Sequence, residues 1–111
     1  MSLQVEKRED VAVITVKGNL MGGRESDAVY EKVKQLLSAG TKHFVVDLSR
    51  VKWMNSQGLG SLMACLTSSR NMEGDLKITG ATEKVKSILM VTKLMTIFEH
   101  FDSVDAAVQS Y

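Results

Sequence analysis

Apolar residues along the first half of the chain follow the patterns of β-strands. Residues 3 to 7 alternate apolar and polar side chains, as in a half-exposed strand, and a polar turn then leads into the β-branched run "VAVITV" at 11–16. These two segments predict a hairpin. The nearly continuous apolar run "HFVVDL" at 43–48 is typical of a strand covered on both faces, as in parallel sheets with crossover helices.

Apolar residues at helical spacing predict helices between and after these strands. The first helix ends before Gly40, which suits a left-handed C-terminal residue, and the second ends at Gly74. A third helix begins near Thr82 and a fourth follows Ser103, since both residue types are good N-caps. The core-facing stripes of the first two helices are Val29, Val33, Leu36 and Leu37, and Leu59, Leu62, Met63 and Leu66.

Two further short strands complete the predicted fold. They are "LKIT" at 76–79 and "TIFEHF" at 96–101. Strands that alternate with helices predict an α/β fold, here an open mixed sheet of about five strands with about four helices, formed by residues 1–111 as one domain. The periodicity leaves open whether the helices cover one face of the sheet or both.

The composition narrows the classes of function. A formal net charge of +1 leaves no basic stripe for a phosphate backbone, so we expect no nucleic-acid partner. Met1 leads into polar residues, and no apolar run reaches the roughly 20 residues that cross a bilayer, so we expect a cytoplasmic protein without direct membrane contact. Cys65 is alone, which excludes an intramolecular disulfide, and packing accounts for it best.

Catalytic and metal-binding constellations are not apparent in the sequence. His43 and His100 have no Cys or Glu at metal-ligand spacing, and Cys65 has no neighbouring His. No nucleophile, base and orienting residue can be assembled from motifs, so we expect neither an enzyme nor a bound metal or cofactor.

A polar pair stands where the strand at 43–48 gives way to the second helix. Asn55 can cap this helix, which leaves the hydroxyl of Ser56 free for another role. A phosphoryl group on Ser56 would carry a charge of about −1.5 to −2 and would meet the positive end of the helix dipole. Two interpretations follow: Ser56 is a second capping residue, or it is a phosphoacceptor that switches binding of a partner.

The residues around this junction form the rest of the candidate site. The glycines of "GLG" at 58–60 fit neither phosphate-loop fingerprint, and glycine here would let the helix approach the sheet or a partner closely. Met21 and Met54 lie in connections and could be exposed. Trp53 either covers the core or contributes to an interface, where aromatic residues are enriched.

The segment "VVDLSRVKWMNSQGLG" at 45–60, together with the order of elements, resembles the STAS domain of bacterial anti-sigma factor antagonists. This resemblance spans nearly the whole chain. It implies a non-enzymatic domain that binds an anti-sigma factor, often a serine kinase, and thereby releases a sigma factor. In that family, phosphorylation of the motif serine blocks binding and a metal-dependent phosphatase restores it. Ser56 matches this serine, and "GNL" at 18–20 matches a loop beside it.

Four positions depart from the family pattern. Asn55 and Gln57 replace an Asp and a Ser around the phosphoacceptor, and Asn19 and Met21 replace acidic residues of the neighbouring loop. Either a divergent kinase matches this more apolar surface, or the domain binds its partner constitutively and is never phosphorylated. We favour the phosphorylatable antagonist. The residues predicted to contact the partner are Asn19, Met21, Trp53, Met54, Asn55, Gln57, Gly58 and Leu59.

Two other functions remain as alternatives. The chain could be a STAS subunit of another assembly, such as a lipid-transport complex or a large stress-signalling particle. It could also be a nucleotide or small-ligand sensor, because helix N-termini accept phosphate groups.

Overall fold

The computed structural model describes residues 2–111, apart from the side chain of residue 25, as a five-stranded mixed sheet with four helices. The strands lie in the order β1-β2-β3-β4-β5; β1 is antiparallel to β2, and all other neighbours are parallel. The predicted fold is confirmed. The elements are β1 (Ser2–Arg8), β2 (Val11–Lys17), α1 (Gly23–Ser38), β3 (His43–Arg50), α2 (Ser56–Asn71), β4 (Asp75–Thr79), α3 (Glu83–Val91), a 3-10 turn (Leu94–Thr96), β5 (His100–Phe101) and α4 (Val104–Gln109).

The helices cover both faces of the sheet, which settles the question that periodicity left open. Crossovers between parallel strands are right-handed, so α1, α2 and α3 pack on one face. Alternate residues of β2, such as Ile14, point into this main core, whereas Val13 points to the opposite face. There, Val13 packs with Val45 of β3 and with Val108 of α4. β3 is therefore buried on both faces, as its continuous apolar run predicts.

The C-terminal helix is fixed to the sheet by polar as well as apolar contacts. Ser103 caps α4 by accepting a 3.1 Å hydrogen bond from the backbone N–H of Ala106. The hydroxyl of Tyr111 donates to the carbonyl of Phe44 at 2.6 Å, and the ammonium of Lys77 lies 4.0 Å from the Tyr111 ring centroid. These contacts hold α4 at the edge of the sheet where the parallel strands begin, away from the junction at Ser56.

The prediction of a strand over the whole of "TIFEHF" is wrong. Only His100 and Phe101 pair with β4, and the preceding residues form a 3-10 turn that begins after Lys93 in a left-handed conformation. The backbone N–H groups of Ile97 and Phe98 donate to the carbonyl of Leu94 at 3.0 and 3.2 Å, so they are used within this turn. The turn also places the Phe98 side chain in the core, with 3% exposure.

The predicted role of Gly74 as the end of α2 also needs correction. The helix ends at Asn71, and Glu73 rather than Gly74 takes the left-handed conformation, with φ at 64°. A Cβ on Gly74 would lie 2.0 Å from the carbonyl oxygen of Lys42. Gly74 is therefore required for a close approach of two backbone segments.

Cys65 lies in the main core, as its position beside the apolar stripe of α2 indicates. It is fully buried. Burial raises the pKa of its thiol to about 12, an effect that a backbone hydrogen bond only partly offsets. The thiol is thus protonated at neutral pH.

His100 links the folded stability to pH. Its Nε2 accepts a 3.2 Å hydrogen bond from the backbone N–H of Ala81, which requires a neutral ring. Burial is the main cause of a lowered His100 pKa; Lys86 lowers it further and Asp102 opposes this. The folded-state pKa of His100 lies below the ordinary value of 6.5. The contribution of its neutral, hydrogen-bonded ring to the free energy of unfolding is therefore complete above pH 6.5 and is lost as the pH falls through the folded-state pKa.

We therefore expect the free energy of unfolding to fall by up to about 1 kcal/mol on acidification, the usual net contribution of one hydrogen bond. Urea unfolding at about pH 7.5 and about pH 5.5 measures this change. His100→Gln is the control, because its side-chain carbonyl can accept the same bond without titrating. An equal pH dependence in both proteins would contradict the assignment.

Candidate functional site

Two loops meet at the carboxyl ends of the parallel strands β2 and β3. We call residues 18–22 and 51–55 the paired loops, because they are joined as a short parallel ladder with a bridge between Leu20 and Met54. The Leu20 N–H donates to the carbonyl of Trp53 at 2.9 Å, and the Leu20 carbonyl accepts from the N–H of Asn55 at 3.1 Å. The side-chain carbonyl of Asn19 accepts from the Trp53 N–H at 3.2 Å.

Asn55 holds the start of α2 against the first of these loops. Its side-chain oxygen accepts a 2.9 Å hydrogen bond from the Gly58 N–H and so caps the helix. Its side-chain NH₂ group donates to the carbonyl of Met21, also at 2.9 Å. Both ends of the amide are used, which explains why an uncharged Asn serves here: a carboxylate could accept the first bond but could not donate the second.

Replacing Asn55 with Ala should lower the free energy of unfolding by about 1–2 kcal/mol, because the helix loses its cap and the Met21 carbonyl loses a donor. Ser56→Ala is the matched control at the neighbouring residue and should change it by less than about 0.5 kcal/mol. Chemical denaturation of both variants measures the difference. A larger loss for Ser56→Ala would mean that Ser56, not Asn55, stabilises the helix start.

Two glycine contacts bring the loops and the helix close together. A Cβ on Gly58 would lie 1.9 Å from the carbonyl oxygen of Leu20, so only glycine allows this approach. The side chain of Gln57 packs over Gly22, where a Cβ would lie 2.3 Å from its Oε1. Gly60 has open space around it. Of the two glycines in the motif, only Gly58 is required by packing.

Ser56 is the first residue of α2 and is exposed. Because Asn55 already caps the helix, the Ser56 hydroxyl is not needed for that purpose, and no described group hydrogen-bonds to it. The first turn of α2 carries no acidic residue. A new negative charge on Ser56 would therefore be stabilised by the positive end of the helix dipole and would not be repelled by a carboxylate in the same turn.

The other predicted contact residues divide into surface and buried positions. Met21 and Trp53 are 47% and 50% exposed, and Gln57 is also exposed. Asn19, Met54 and Asn55 are half-buried. Gly58 and Leu59 lie inside the protein, and Leu59 is only 3% exposed. These last two residues position the surface and do not themselves form it.

Trp53 does not cover the core, although that was one of its two interpretations. Half of the residue is exposed, and the ammonium of Lys84, on α3, lies 3.4 Å from its ring centroid in a cation–π contact. Sequence reasoning missed Lys84 because it is far from the motif along the chain. It also missed the roles of the Leu20 carbonyl and of Gly22 in the site. For Gly22, the consecutive glycines at 22 and 23 were a signal in the sequence that could have indicated a close contact.

Two features are absent from residues 2–111. No helix there is long and apolar enough to span a membrane. No group of three or more described His, Cys, Asp and Glu side chains is arranged to hold a metal ion.

The family model of the STAS domain matches residues 2–107. The chain therefore belongs to the STAS domain family, as the resemblance of its motif indicates.

Solved structures with the same fold include several anti-sigma factor antagonists. A candidate antagonist from Thermotoga maritima is 22% identical, with 97% of this chain and 92% of that one covered and a TM-score of 0.89. An antagonist from Mycobacterium paratuberculosis is 21% identical, with coverages of 98% and 92% and a TM-score of 0.83. The phosphorylated form of SpoIIAA, a Bacillus cell fate determinant, is 14% identical, with coverages of 99% and 100% and a TM-score of 0.76.

Proposed function

We propose that this chain is an anti-sigma factor antagonist, a binding module without catalytic activity that sequesters a kinase-like anti-sigma factor in the cytoplasm. Phosphorylation of Ser56 by that serine kinase releases the partner, and a metal-dependent serine phosphatase reverses the modification. Family membership and the antagonists among its structural neighbours support this assignment.

The observation that carries the proposal is the division of roles between Asn55 and Ser56. Asn55 makes the capping bond to Gly58 N–H, so Ser56 places an exposed hydroxyl at the helix start without a structural duty. A kinase can reach this hydroxyl without unfolding α2. A phosphoryl group there interacts favourably with the helix dipole, so the folded domain tolerates the modification.

The partner meets a surface formed by the paired loops and the first turn of α2. Met21 and Trp53 supply exposed apolar area, and Asn19, Met54, Asn55 and Gln57 supply the polar and half-buried remainder. Adding about two negative charges at Ser56, beside this apolar surface, forces their desolvation when the partner docks. The phosphoryl group is therefore compatible with the helix in the free protein but unfavourable in the interface, which makes Ser56 a binding switch.

Incubation with cell extract and ATP tests the modification directly. We expect intact-mass measurement to find one added phosphate, fragmentation to map it to Ser56, and Ser56→Ala to abolish it. Phosphate on another residue would contradict the proposed switch.

A constitutive STAS subunit of another complex is the second candidate. It is favoured by the uncharged site, in which Asn19, Met21 and Asn55 stand where the family pattern has acidic residues. Capture of a partner from the same extract with no phosphate added to Ser56 would support this function instead.

A further inference from the structure

A shallow groove lies between α3 and the second of the paired loops. Its α3 side is formed by Lys84, Ile88 and Val91, which are spaced at i, i+4 and i+7 and so share one helix face. Trp53 and Met54 form the other side, and together with Ser87 these residues line an open depression of about 420 Å³. It does not include the first turn of α2, but it shares Trp53 and Met54 with the partner surface proposed above.

The groove is lined by half-buried apolar residues that pack against the core and by apolar residues that are exposed. Ile88 and Met54 are half-buried and pack against the main core, so their positions are fixed by the fold. Val91 is 82% exposed and Trp53 is 50% exposed. Apolar walls around a concave surface characterise recognition sites, because their burial by a partner is favourable.

Among the described residues, the one charged side chain that lines the groove is that of Lys84. The ammonium of Lys84 is held over the Trp53 ring, and an adjoining depression is lined by Lys52 and Glu83 together with Trp53 and Lys84. Within the described part of the chain, neither lysine forms an ion pair. Lys84 is thus fixed at the edge of an apolar surface with hydrogen-bond donors still available, which complements a carboxylate.

We infer that this groove binds an amphipathic helix of the protein partner, with a carboxylate placed to pair with Lys84, an inference that rests on the proposed function. Apolar side chains at i, i+3 or i+4, and i+7 of such a helix match the groove between Trp53 and Val91. α3 has nine residues and is about 13.5 Å long, enough to contact two or more turns of a bound helix. The one ammonium fixed at the groove matches a single carboxylate on a helix, whereas anionic membrane surfaces are bound by clusters of basic residues.

A library of helical-bundle scaffolds, with one randomised outer helix face, provides a probe that needs no known partner. Selection on the unmodified protein should enrich an acidic residue flanked by apolar residues at helical spacing. The dissociation constant of an enriched binder can be followed by the fluorescence of Trp53, the single tryptophan of the chain. Val91→Asp and Lys84→Glu should each weaken binding at least about tenfold.

Met90→Asp is the matched control. Met90 is also exposed, at 67%, but lies about 100° around α3 from Val91 and does not line the groove. The Met90→Asp variant should bind the enriched scaffold with the same affinity as the parent protein. Equal binding by Val91→Asp, or enriched faces without an acidic residue, would overturn the inference.

Two further arms separate the alternatives. Binding of the parent, but not of Val91→Asp, to anionic phospholipid vesicles without scaffold enrichment would overturn the inference in favour of a membrane surface. The affinity of an anti-sigma partner purified from extract can also be measured for the Val91→Asp and Ser56→Asp variants. Loss of affinity only for Val91→Asp would support the groove and reject the switch, whereas loss only for Ser56→Asp would do the reverse.

Discussion

Ser56→Asp should weaken the complex with the captured anti-sigma partner roughly 100-fold, the equivalent of about 2.7 kcal/mol. The fold should remain intact, because the new carboxylate lies in the first turn of α2, next to the positive helix end. The loss arises in the complex, where a charge must be desolvated beside the apolar side chains of Met21 and Trp53. Titration calorimetry with purified partner measures the change in dissociation constant.

Ser38→Asp is a suitable control for this prediction. Ser38 is exposed at the last residue of α1, at the opposite edge of the sheet from the paired loops, so its substitution should leave affinity unchanged. Unchanged affinity for Ser56→Asp as well would reject the switch and favour a constitutive binding surface. Equal losses for both variants would point to a non-specific effect of added negative charge.

Gly58→Ala should lower the free energy of unfolding by about 2–3 kcal/mol, as overpacking in a tight contact does. The added methyl would lie 1.9 Å from the Leu20 carbonyl oxygen, which is backbone and cannot turn aside as a flexible side chain would. Relief of this clash requires α2 to move away from the paired loops. Urea unfolding measures the loss, and affinity for the partner should fall in the same variant because the two halves of its surface separate.

Gly60→Ala is the internal control, two residues further along the same helix. Open space surrounds Gly60, so the methyl should meet no clash and should stabilise α2 by up to about 1 kcal/mol through helix propensity. Opposite signs for the two variants would confirm that packing distinguishes the glycines. Destabilisation of similar size by both would mean that the helix start needs conformational freedom at each.

Local patterns in the sequence were sufficient for most of the fold. The continuous run at 43–48 indicated a strand buried on both faces, and helical spacing located the core stripes of α1 and α2. Thr82 and Ser103 were recognisable as caps because capping is a contact between residues three apart. The segment 96–101 misled because its apolar residues fit a strand equally well. The 3-10 turn takes up the backbone N–H groups of Ile97 and Phe98, and only His100 and Phe101 pair with β4.

The sequence by itself determined the order of elements, the family motif and the position of Ser56 beside a capping Asn55, since each depends on residues close together along the chain. Only the tertiary structure decided which face each helix covers, that Leu59 is buried while Trp53 is exposed, and that Gly58 alone is packed against Leu20. It also brought Lys84 to Trp53. These features arise from contacts between segments distant in sequence, and periodicity carries no information about such contacts.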